Sequence, residues 1–108
     1  MFSKGNMSKM MKKAQELQNK MAEAQKELSN IKVEGQSGGG MVKAYANGHK
    51  DILSIDIDPE ILSEDKDMIE DLVVAAVNQA LKEASLEAEK KMNSATGGMM
   101  SGMKLPGM

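Results

Sequence analysis

A chain of 108 residues with only two aromatics, Phe2 and Tyr45, and with twelve methionines has room for one domain and little bulky side chain to fill its core. A formal net charge of −2 hides an asymmetry, since residues 1 to 50 carry nine Lys and four acids while residues 51 to 108 carry five Lys and twelve acids. The lack of cysteine excludes a disulfide framework, and with no run of eighteen apolar residues and no apolar leader, neither a membrane span nor secretion is expected.

In chain order, residues 1 to 6 read as a loose lead in which Gly5 and Asn6 delay a helix, with Asn6 or Ser8 as its cap. From Met7 to about Asn30, Met7, Met10, Ala14, Leu17, Met21, Ala24, Leu28 and Ile31 recur at alternating spacings of three and four. That is a heptad seam, the pattern that holds one helix against another. Such a helix is about 36 Å long at 1.5 Å per residue, whereas strands of about six residues span roughly 20 Å. About half of it should overhang any sheet that follows. An overhanging apolar seam calls for a cover, and the same seam on a second copy is the cheapest, so Met7, Met10, Ala14, Leu17 and Met21 are the expected homodimer contact. Lys4, Lys9, Lys12 and Lys13 precede any acidic residue, while Lys20 and Lys26 have Glu16, Glu23 and Glu27 at helical neighbour spacings. Positive charge is therefore concentrated at the start of the helix.

From Ile31 the period changes to two. Ile31, Val33 and Gly35 alternate with Lys32, Glu34 and Gln36, then Ser37 to Gly40 forms a turn and Met41 to Ala46 a second strand. Asn47-Gly48 signals a type I′ hairpin into a third strand, Ile52 to Asp58, with Leu53, Ile55 and Ile57 on one face. The expected sheet is a three-stranded antiparallel meander with one face covered by helices. Pro59 ends it, and Ile61 and Leu62 should pack beneath the next helix, which starts near Ser63 or Asp65 behind Glu64, Asp65 and Asp67. Ile69, Leu72, Val73, Ala76, Val77, Ala80, Leu81 and Ala84 form its broad apolar face. Beyond Ala84 that face thins among charges, so the helix should run on as a second arm. The division expected is an α+β domain over residues 1–96 and a Gly/Met-rich tail over 97–108.

Catalytic chemistry finds no foothold. Gly38 to Gly40 lacks the Lys-Ser/Thr ending of a phosphate loop, His49 is the only histidine, and no nucleophile and base stand together. Asp56, Asp58 and Glu60 could in principle meet a divalent cation, but they read better as a solvated strand end. The expectation is a protein without enzymatic activity, metal, cofactor or small-molecule substrate.

The segments Gly5-Asn6-Met7-Ser8-Lys9-Met10-Met11-Lys12-Lys13-Ala14-Gln15, Gly38-Gly39-Gly40-Met41-Val42, Asn47-Gly48, Ile57-Asp58-Pro59 and Asp71-Leu72-Val73-Val74-Ala75-Ala76-Val77-Asn78 resemble, in this order, the YbaB/EbfC family of bacterial nucleoid-associated proteins. Thr96-Gly97-Gly98-Met99 and Leu105-Pro106-Gly107 are similar to that family's ending. The resemblance implies a small α+β homodimer, cytoplasmic and nucleoid-bound, whose projecting helices grip double-stranded DNA. It implies that Lys9, Lys12, Lys13 and Lys20 on the first arm, with Lys90 and Lys91 on the last, contact DNA. All fourteen basic residues are lysine, so phosphate rather than base edges should be addressed. The rival from a different class is an adaptor that grips another protein with its arms and Met-rich tail, because flexible thioethers adapt to varied surfaces.

Overall fold

In the computed structural model, which describes residues 4–97, helix α1 runs Lys4–Glu27 and closes with one 3-10 turn, Leu28–Asn30. Strands β1 (Lys32–Ser37), β2 (Val42–Asn47) and β3 (Ile52–Ile57) follow, then a second 3-10 segment, Pro59–Ser63, and the long helix α2, Lys66–Thr96. The fold is the α+β order expected, helix, antiparallel meander, long helix, with strands in the sequence β1-β2-β3. Residues 1–3 of the expected lead and 98–108 of the expected tail lie outside the described residues.

Helix α1 starts earlier than its glycine implies. One Gly costs about 1 kcal/mol in a helix, too little to stop a helix already nucleated downstream, so Gly5 and Asn6 are helical and neither Asn6 nor Ser8 is the cap. Helix α2 starts at Lys66, directly after Asp65 and with Asp67 in its first turn.

The core lies between α2 and two of the three strands. Val42, Ala44 and Ala46 of β2 are fully buried against Ala76, Ala80 and Ala84 of α2, with Ile61 beneath and Val33, Ile57, Ile69, Leu72, Val73 and Val77 around them. Small residues let the backbones approach. A Cβ at Gly35 would stand 2.3 Å from both the Ala76 carbonyl oxygen and the Ala80 nitrogen, so β1 tolerates no side chain there. Two hydrogen bonds hold α2 over this edge: the Gln36 amide donates to Gln79 Oε1 at 2.6 Å and the Ser37 hydroxyl donates to the Leu72 carbonyl at 2.6 Å.

Fixing α2 above β1 and β2 leaves β3 uncovered. Ile55 and Ile57 pair with Ala44 and Val42 and share their face, yet Ile52, Leu53 and Ile55 remain 38%, 52% and 42% exposed. A bulge beside Tyr45 and Ala46 brings Ile52, rather than Leu53, opposite Ala46. The expected cover by helices is thus a cover by one helix over two strands. Ile61 packs beneath α2 as expected, but Leu62 is 62% exposed, because the 3-10 segment turns adjacent residues to different sides.

The β2–β3 connection also departs from the type I′ form. Lys50, at φ 68°, is the residue with positive φ, and Gly48 is not. Asn47 organises a longer loop, its Oδ1 accepting from the His49 amide at 2.9 Å and the Asp51 amide at 3.0 Å. Gly48 serves close approach instead: its amide donates to the Leu28 carbonyl at 2.8 Å, and a Cβ there would lie 2.7 Å from that oxygen. This contact ties the end of α1 to the sheet.

Candidate functional site

The molecule measures 74 × 31 × 16 Å, and its length comes from the helices. Helix α1 runs back past the body antiparallel to the last third of α2, making one two-helix arm in place of two separate ones. Ala24 is buried at 2% exposure, and a cleft where Lys20, Glu23, Ala24 and Glu27 face Lys91, Ser94 and Ala95 records the pairing. An ion pair between Lys91 Nζ and Glu27 Oε2 crosses it. Further out, Leu17 is half-buried beside Lys13, Glu16, Lys20 and Thr96. Past that level α1 continues beyond the end of α2.

The apolar seam is therefore divided. Ala24 and Leu28 are covered within the protomer, Leu17 partly so, while Met7, Met10 and Met21 are 55%, 59% and 40% exposed and Ala14 is exposed.

The six lysines also divide. Lys9, Lys12, Lys13 and Lys20 are all exposed on α1, and the ion pairs among the described residues involve none of them. At 100° per residue, Lys9, Lys13 and Lys20 fall within about 40° of one another around the helix, and Met7, Met10, Ala14 and Met21 fall within about 60° on a separate stripe. A basic stripe and an apolar stripe thus run side by side. Lys90 is exposed and sits 3.4 Å from Glu87, one turn back on α2. Lys91 is half-buried and committed to Glu27, so its charge is already matched. Sequence spacing does not show this, because Glu27 and Lys91 meet only through tertiary packing.

The outer face of the sheet is polar. Lys32 stands 4.7 Å from the centre of the Tyr45 ring. A hydrogen bond to Glu34 first, then burial and the charges of Glu34 and Asp56, push the Tyr45 hydroxyl above its ordinary value. Asp58 caps the following 3-10 turn, its Oδ1 accepting from the Glu60 amide at 2.9 Å. Among the described residues no three His, Cys, Asp or Glu side chains are grouped to hold a metal ion, and no helix is long and apolar enough to cross a membrane.

Comparison with known proteins agrees with this architecture. Residues 3–99 match the sequence model of the YbaB/EbfC DNA-binding family. Among solved structures, the chain is similar to an uncharacterized protein from Helicobacter pylori, at 18% identity over 90% of this chain and 100% of that one, with a TM-score of 0.67. At that identity the likeness establishes the fold.

Proposed function

Because the chain belongs to the YbaB/EbfC DNA-binding family, we propose that it binds double-stranded DNA as a homodimer, through phosphate contacts made by the lysines of its arms. The observation that carries this reading is the stripe of Lys9, Lys13 and Lys20, with Lys12 beside it, on a helix that extends beyond the end of α2 and, among the described residues, gives these lysines no ion pair. Lysine is a mobile point charge suited to phosphate, and the chain contains no arginine for bidentate reading of guanine. Affinity then comes largely from counterion release and base preference is weak. Lys90 contributes less, and Lys91 acts mainly within the arm.

The dimer contact is best supported at β3. Full burial of an Ile or Leu is worth about 1.5–3 kcal/mol, and Ile52, Leu53 and Ile55 forgo roughly half of that as they stand. A second copy placed on this face recovers it without touching the basic stripe. The exposed seam residues Met7, Met10, Ala14 and Met21 are the alternative contact, though Leu17 already turns to its own α2. Two bodies joined at β3 would hold two arms against one duplex, and the roles this implies are nucleoid association, DNA organisation and gene regulation.

Fluorescence anisotropy of a labelled 30-base-pair duplex, titrated across a salt series, tests the reading. Saturable binding whose log affinity falls linearly with log salt supports phosphate-directed contact, and neutralising one lysine should make the slope shallower by about one for each phosphate it had engaged. Absence of binding at low salt overturns it.

A further inference from the structure

Along α1, Ala24, Leu17 and Met10 are successive heptad positions and lie on nearly one line. Their environment changes in order: Ala24 is 2% exposed, Leu17 half-buried and Met10 59% exposed. The change follows the end of α2, whose last residue, Thr96, shares with Leu17 a cleft of ≈ 190 Å³ walled by Lys13, Glu16 and Lys20. The line that packs on α2 lower down continues outward without it.

We propose that residues 98–108 of the same protomer occupy this line, laying Met99, Met100, Met103 and Leu105 over Met10 and Met7 where α2 leaves off. The segment starts at the right place, since it begins two residues after Thr96, which lines the Leu17 cleft. Its reach is sufficient: eleven residues extend to about 36 Å, while Met10 and Met7 lie about 10 and 15 Å beyond Leu17 along the helix. Its chemistry fits, because five of the eleven residues are Met or Leu and one, Lys104, is charged. Unbranched thioethers pack against one another without demanding a fixed register. Intramolecular attachment presents the segment at roughly millimolar effective concentration, so a modest contact area is enough. The docked segment would cover the apolar stripe and leave the neighbouring lysine stripe open. This goes beyond the DNA-binding reading and does not depend on it.

The test is methyl NMR of protein labelled at the methionine methyls, without DNA, comparing the full chain with a chain ended at Gly97. The expected result is a shift of the Met10 and Met7 signals with Met41 and Met68, on the body, unmoved. A full-length variant carrying Met99→Ser, Met103→Ser and Leu105→Ser should give the same shift, which separates docking from a mere change of length. Met10 and Met7 signals that neither change moves would overturn the proposal. So would signals that move only with protein concentration, which would assign the stripe to a second copy.

Discussion

The body and the arm of this protein are made from similar residue types and obey different rules. In the body, alanine and glycine permit backbone contact: Ala76, Ala80 and Ala84 lie on Ala44, Ala46 and Gly35, and every ångström is specified. In the arm, Met7, Met10 and Lys9 between them face outward with nothing in the described fold against them. Tight packing fixes where the arm points. The arm's surface stays exposed, so the difference separates the residues that hold the fold from those proposed to act.

The tight packing of the body is most vulnerable at Gly35. Gly35→Ala places a Cβ against helix backbone, and overpacking costs about 1–3 kcal/mol, here toward the upper end because backbone rather than a flexible side chain must move. Chemical denaturation should show a large fall in midpoint, and a change below about 0.5 kcal/mol, the range of an ordinary surface substitution, would mean that α2 does not sit where the structure has it. Next in size is β3. Ile55→Lys puts a charge in the proposed dimer face, and with about half of the 1.5–3 kcal/mol of full burial lost in each of two copies the dissociation constant should rise at least roughly 10-fold. Sedimentation equilibrium reads this directly, and an unaltered dimer would move the interface to the helix seam.

Smaller effects sharpen the same contrast. Lys91→Gln removes a partly exposed bridge to Glu27, and exposed pairs are worth about 0–1 kcal/mol. Stability should fall by less than about 1 kcal/mol, and DNA affinity should fall far less than on removal of Lys9. Smallest is an alkaline effect at Tyr45. Its folded-state value is raised, so the stability it contributes is fully present below the unfolded-state value near 10 and declines as pH rises past it. A denaturation series from about pH 9 to 11 should be flatter for Tyr45→Phe than for the parent protein.

Much of the fold is legible in the sequence because its signals are periodic. The change from heptad spacing to alternation at Ile31, and back to a helical face at Ile69, places the elements in order. What escapes depends on tertiary placement. The alternation in β3 puts Ile55 and Ile57 on the core face, as the structure has them, but only the seat of α2 over Gly35 shows that Ile55 stays uncovered. Asn47-Gly48 has the local preference of a two-residue turn, whereas Gly48 is needed for contact with Leu28, twenty residues earlier. The lysines are visible as charge, and the pairing of Lys91 with Glu27 is not.

That the arm binds DNA through lysines that make no ion pair among the described residues, while the body holds it in place, is the core of the proposed function. It is tested most directly by Lys9→Glu, Lys12→Glu and Lys13→Glu combined, measuring duplex affinity, oligomeric state and thermal midpoint on the same preparation. The expected result is binding abolished at physiological salt with dimer and midpoint close to those of the parent. Retained binding with an unaltered salt slope would contradict it.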